Sequence, residues 1–369
     1  MRFPRTKPVT IYKTSPLNIL QSSPTLLFPT SFSSHTCFPR QISCSVMSST
    51  TENAPQTFQT VTIPYSELQD KNADLSMKIE EGFGPNGLGI LSISDVPGFS
   101  SLRSNLLHLS SRLASLPEEV KKALEDPHSR YNFGWSHGKE KLDSGRPDML
   151  KGSYYANPIL DKPTVDASLV QRYPSYCQPN IWPSDALPEL EPAFKALGKL
   201  MLDVGLMLAY HCDQYGIASK WVKIRDDEVL EQILQRSRCH KGRLLYYFPT
   251  QRSYCNTDGA SISSWCGWHT DHGSLTELIR EGGDIRIGIV SALQIRAGLT
   301  CGMFVRDGVE VACPDTAVGL YIKSRSDNTV KVKFLVLGLL KTYIFSNFFM
   351  LFGGLFEIQD LITKHVRLF

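Results

Sequence analysis

The stretch GWHTDHGSLT, residues 267–276, sets His269 and Asp271 either side of a single threonine. If the segment is extended, side chains alternate between faces, so the imidazole and the carboxylate project together while Trp268, Thr270 and His272 point the other way. One imidazole and one carboxylate on a common face are two-thirds of the 2-His-1-carboxylate triad. That triad occupies one face of octahedral Fe(II) and leaves three positions open for chemistry. A bare His-x-Asp pair is equally an ordinary surface hydrogen bond, so the reading turns on a third ligand. A zinc hydrolase site built on His269, Asp271 and His272 is a competing metal reading. Strand alternation disfavours it unless the backbone bends at His272.

Such a pair needs rigid elements behind it, and the chain supplies patterns for them. GLGILSISDVPGFSSLRSNLLHLSSRLASLP predicts a strand over Leu88–Ile93, a turn, and a helix whose Leu102, Leu106, Leu109, Leu113 and Leu116 recur at spacings of four and three. Pro117 followed by Glu118 and Glu119 starts another helix, because proline fits the first turn and acids suit its positive end. A third helix runs from about Pro188 to Asp213, with Phe194, Leu197, Met201, Val204 and Leu208 on one face. His211 continues that stripe and reads as a packed residue, not a ligand. From Gly242 the period becomes two: RLLYYFP alternates Leu244, Tyr246 and Phe248 against Leu245 and Tyr247, and MFVRDGVEV is a hairpin turning at Asp307-Gly308. Strands after helices predict a mixed α/β fold of the α+β kind, or a helix-decorated β-barrel, not a doubly wound sheet.

Composition excludes some functions and suggests an address. Residues 1–50 carry five Lys/Arg, 17 Ser/Thr and no Asp or Glu, the composition of an organellar transit peptide, with QISCSVM (41–47) as a cleavage zone. The expected destination is the chloroplast stroma, and a start at Met47 would give a cytoplasmic form. Beyond residue 50 the chain is near neutral, without the basic face that nucleic acid requires. None of its nine cysteines forms a Cys-x-x-Cys pair, so reduced thiols are expected in place of a zinc ribbon. FLVLGLLKTYIFSNFFMLFGGLF (334–356) is long enough to span a bilayer but is broken by Lys341 and Asn347, so membrane association is a minor reading.

Several of these motifs stand in one order, and together they resemble the plant 2-oxoglutarate- and Fe(II)-dependent oxygenases of the isopenicillin N synthase-like group. The likeness is carried by GLGILSISDVPGFS (87–100), RLLYYFP (243–249), GWHTDHGSLT, and GLTCGMFVRDGVEVACPDTAVGLYI (298–322), within roughly 63–333. It implies a distorted double-stranded β-helix, or jelly roll, with N-terminal helices over 58–240, a metal-binding core over 241–333, and iron inside the open end. It also implies Fe(II), 2-oxoglutarate and ascorbate as cofactors, and a small organic substrate that is hydroxylated or desaturated. His269 and Asp271 match the family's first two iron ligands. The tyrosine that bonds the co-substrate's far carboxylate falls on Tyr246, because alignment on Pro249 puts Phe248 where a hydroxyl often stands. Tyr247 reads as core filling.

The chain then departs from that pattern. Residues 277–297 intervene where the family runs on almost directly, and they read as an insertion inside the barrel. The family's distal histidine and following Arg-x-Ser, which grips the co-substrate carboxylate, find no counterpart. After Asp271 the only histidines are His272 and His365, and Arg-x-Ser occurs nowhere. His365, followed by Arg367, is the one remaining candidate for a third ligand, in a tail (334–369) that resembles nothing in the family. An intron-derived or frame-shifted tail, which would also account for the insertion, is the explanation the sequence favours. The expectation is thus an incomplete barrel with unpaired sheet edges and impaired activity. The alternative is a non-catalytic, splice-type or membrane-associated product.

Overall fold

The computed structural model describes residues 56–142, 145–218 and 229–248, and beyond these the strands from Trp268 to Gly353. In chain order the elements are β1 (Gln56–Phe58), β2 (Val61–Pro64), α1 (Tyr65–Gln69), α2 (Ser76–Phe83), β3 (Ile90–Ser94), α3 (Phe99–Ala114) and α4 (Glu118–Ala123). There follow β4 (Gly134–His137), β5 (Lys151–Ala156), α5 (Ala167–Arg172), α6 (Pro174–Cys177), α7 (Leu190–Ala218), α8 (Leu230–Arg236) and β6 (Lys241–Tyr247). Strands alone complete the described chain: β7 (Trp268–His269), β8 (Leu275–Ile279), β9 (Ile285–Ile289), β10 (Ile295–Ala297), β11 (Met303–Arg306), β12 (Val309–Val311), β13 (Leu320–Lys323), β14 (Thr329–Val332) and β15 (Ser346–Gly353).

The expected helices form, and the apolar stripes explain where they sit. In α3, Leu106, Leu107, Leu109 and Leu113 are buried and Leu102 packs against the same cluster. Gly98, at φ +74°, supplies the left-handed residue that turns the chain out of β3 into this helix. Along α7, Phe194, Leu197, Met201, Val204 and Leu208 are fully buried, each worth about 1.5–3 kcal/mol of apolar burial. This helix runs five residues past the expected end at Asp213. His211 is buried and its Nε2 lies 3.0 Å from the Leu68 carbonyl, so it is a packed residue as expected.

Two sheets organise the strands. One is five-stranded, in the order β1-β14-β13-β10-β7. The other is ten-stranded: its main path runs β2-β3-β9-β8-β15-β6-β5-β4, and the β11–β12 hairpin attaches through β15. All pairs are antiparallel except β1–β14 and β2–β3. The fold is therefore mixed α/β, with no closed barrel among the described strands. Arg306 pairs with Val309, which leaves Asp307 and Gly308 as the two-residue connection predicted for that hairpin.

One expectation is overturned. The sequence predicts that the tail leaves sheet edges unpaired, yet β15 lies within it and fills the gap between β6 and β8, from Ser346↔Tyr247 to Phe352↔Lys241 on one side and from Met350↔Leu278 to Gly353↔Leu275 on the other. Pairing on both sides satisfies the backbone N–H and C=O groups of this strand in the ladder. The segment 277–297 is likewise built in: β9 pairs with β3 and β8, and β10 joins β7 to β13. Among the described residues no helix is long and apolar enough to cross a membrane.

Candidate functional site

β6 carries two different faces past the centre of the larger sheet. On one face Leu244 and Tyr246 are buried, and Phe248 follows them. The Tyr246 and Phe248 rings meet edge to face at 5.0 Å, and Phe248 lies 4.7 Å from the His137 ring on β4. Trp135, two residues before His137, continues this aromatic panel at 6.3 Å. Between them on β5 stands Gly152, paired with both His137 and Tyr246. A Cβ there would fall 2.3 Å from Trp135 Cη2, so the absence of a side chain is what lets the indole lie across the strand. Burial pushes the Tyr246 phenol above its usual range.

Trp135 and His137 also line a cleft of about 300 Å³. Its charged rim is balanced, since Glu118 pairs with Lys121 at 2.6 Å and Glu125 with Lys139 at 2.9 Å. Paired charges of both signs give such a cleft no preference for an anion. The sequence reading does not single out Trp135 and His137 beside Tyr246, although the alternation in GWSHG puts both on one face.

The other face of β6 is ionic. Arg243 donates to Glu140 and to Ser153 Oγ, Lys151 Nζ lies 2.8 Å from Glu140 Oε2, and the Tyr155 hydroxyl donates to Glu140 Oε1 at 3.1 Å. Burial alone would raise the Glu140 carboxyl, but Arg243 and Lys151 override it and hold its pKa near 2. The Arg243 guanidinium is thus engaged inside the fold.

Of the residues predicted to hold metal, His269 ends β7, an edge strand of the smaller sheet, where it pairs with Ile295 of β10. Asp271, His272 and His365 lie outside the described residues, as does the side chain of His269. Among the described residues no group of three His, Cys, Asp or Glu could hold a metal ion. Tyr246 belongs to the larger sheet and His269 to the smaller one.

No family model matches the chain, and no curated protein does. Among solved structures it is similar to a full-length Neurospora crassa protein in complex with alpha-KG and 5-formyluracil, with a TM-score of 0.50, 12% identity, and coverage of 80% of this chain and 84% of that one. JOX2 in complex with 2OG, Fe and JA gives a TM-score of 0.45 at 13% identity, covering 84% and 81%. The rice dioxygenase for auxin oxidation gives 0.41 at 13%, covering 80% and 83%. At these identities the first likeness speaks for the fold alone, and the two weaker ones add nothing to it. The chain shares the overall fold of that alpha-KG-bound Neurospora crassa structure, at low sequence identity.

Proposed function

We propose that this chain is a 2-oxoglutarate- and Fe(II)-dependent oxygenase of the isopenicillin N synthase-like kind by descent, with a jelly-roll core and an impaired metal centre. The observation that carries the reading is the fold likeness to an alpha-KG-bound structure, together with the position of His269 at the end of an edge strand. In this reading His269 and Asp271 would hold Fe(II), and Tyr246 would bond the far carboxylate of 2-oxoglutarate. Bound there, the metal would activate dioxygen while 2-oxoglutarate is decarboxylated to succinate and a small organic substrate is hydroxylated or desaturated, with ascorbate keeping the iron reduced.

The donor set fits Fe(II) in two of three positions, because the sequence offers only His272 and His365 beyond Asp271. His272 faces away if the strand alternates, and His365 is the remaining candidate. Titration with Fe(II) and 2-oxoglutarate under argon tests the reading. A weak, saturable charge-transfer band in the visible, lost in His269→Ala and kept in His272→Ala, is expected. A band insensitive to His269→Ala would overturn it. For residues 1–50 the proposal is a plastid transit peptide, and a reporter carrying residues 1–60 that stays in the cytosol would remove that part.

A further inference from the structure

Hydrogen bonds fasten three segments of the helical layer into the walls of a cleft. Lys241 Nζ donates to the carbonyls of Asn132 and Ser175, and Ser175 Oγ donates to the Ser129 carbonyl at 3.1 Å, so the loop around His128 is tied to α6. Arg238 Nε donates to the Pro163 carbonyl at 2.6 Å and the Asn180 N–H to the Asp161 carbonyl at 2.9 Å, which fixes the segment leading into α5. These walls enclose about 610 Å³, within the range of small-molecule sites. They are tied to the Lys241 face of β6, and by alternation Tyr246 projects from the other face. The cleft is therefore separate from the proposed co-substrate position.

Its lining is one-sided in charge. Lys162 and His128 line it, and among the described residues no Asp or Glu does. Neither the Lys162 ammonium nor the His128 imidazole has a hydrogen-bond or ion-pair partner among the described residues. The carboxylates near them in sequence are engaged elsewhere. Asp161 accepts from Asn180, Trp182 and Lys195, Asp126 from the His128 backbone N–H, and Asp166 from Ser168. The side-chain amides of Gln171 and Gln178 line the same space and also lack partners among the described residues. Apolar surface makes up the rest: Val170, Pro174 and Pro179 line it, and Val165 is 86% exposed. Unpaired donors beside an apolar wall, with no opposing carboxylate, complement an anionic head on an apolar body.

We propose that this cleft binds a small organic acid, a monocarboxylate held by Lys162 and His128 with its hydrocarbon body against Val165, Val170 and Pro174. One ammonium balances one negative charge, and the amides of Gln171 and Gln178 are further donors for the two carboxylate oxygens. An apolar wall gains nothing from inorganic phosphate, whereas a chain of several methylenes loses contact with water along it. Because the walls are already hydrogen-bonded in place, binding costs little ordering of the protein.

The test is calorimetric titration of the full chain with octanoate in EDTA, so that the proposed metal centre plays no part. One saturable site with Kd on the order of 0.1–1 mM is expected, and octyltrimethylammonium, which carries the same hydrocarbon and the opposite charge, should not bind. Lys162→Glu should weaken octanoate about tenfold or more, and Val165→Asp should do the same. Both side chains are exposed, so Tm should not move in either variant. His269→Ala should leave octanoate binding unchanged, which separates this site from the proposed iron ligand. The proposal fails if octanoate does not bind, or if octyltrimethylammonium binds as well as octanoate. It fails equally if both Lys162→Glu and Val165→Asp keep the affinity of the unvaried chain, because the acid would then sit elsewhere.

Discussion

Arg103, buried on α3, grips Glu310 on β12 across 207 residues of sequence, with Nη2 2.7 Å from Oε1 and Nη1 3.3 Å from Oε2. This two-pronged ion pair ties the N-terminal helical layer to the hairpin attached through the tail strand. Its partners differ in exposure, the Arg103 side chain being 6% exposed and that of Glu310 34%. Losing the carboxylate therefore removes an ionic partner from a guanidinium that water hardly reaches. Glu310→Ala should lower stability by roughly 1–3 kcal/mol in urea titrations, and adding Arg103→Met should return part of the loss. Additive losses in the double variant would show that the two residues do not act as a pair.

Gly152 gives a second test, because its Cβ would sit where the Trp135 ring already lies. Gly152→Ala should cost roughly 1–3 kcal/mol, since the indole is buried and cannot swing clear without shifting its neighbours. Trp135→Phe removes the colliding ring atoms. The two changes together should cost less than the sum of their separate effects, and a coupling near zero would contradict the steric account.

His240 makes stability depend on pH in a defined direction. Burial lowers its pKa to about 4, while the carbonyls of Leu234 and Ser237 pull the other way, and its Nδ1 has no partner among the described residues. The unfolded chain takes up a proton at this residue as pH falls below about 6.5, whereas the folded chain waits until about 4. The neutral ring's contribution is fully present above pH 6.5 and is lost as pH falls to about 4, up to about 3 kcal/mol. His240→Gln should flatten the stability profile across that window. An unchanged slope would mean that another group titrates there.

How much of this is legible in the sequence depends on whether an element carries a period of its own. The helices α3 and α7 are legible because their leucines, Phe194, Met201 and Val204 recur at helical spacing and are buried where the spacing puts them. The tail strand is not. An apolar run such as FFMLF carries no period of two, and such a run cannot be told from a spanning segment by pattern alone. The segment 277–297 reads as an insertion by comparison with a pattern, although IRIGI has strand character of its own. On β6, the buried face shared by Leu244 and Tyr246 is legible from alternation. Its neighbours Trp135 and His137 are not, because they reach it through a glycine on an intervening strand, and long-range pairing leaves no mark in local spacing.

The last prediction concerns turnover and follows from the donors the chain can offer. A facial triad lacking its second histidine leaves a position to water, which loosens the iron and removes an imidazole that tunes it. The co-substrate's far carboxylate also needs a cation. Arg-x-Ser is absent from the sequence, and Arg243, on the opposite face of the Tyr246 strand, is already engaged by Glu140 and Ser153. Losing a buried, charge-assisted contact of that kind costs on the order of 2–5 kcal/mol, about 30-fold to several thousand-fold in affinity. An unpaired tail does not add to the deficit, because β15 pairs on both sides. The defect should therefore lie in the metal and co-substrate sites, in a chain that is otherwise folded. Supplied with Fe(II), ascorbate and 2-oxoglutarate, the purified chain should show cooperative unfolding yet release no succinate above a metal-free control. Succinate release that disappears in His365→Ala or Arg367→Ala would instead assign the missing ligand and cation to the tail.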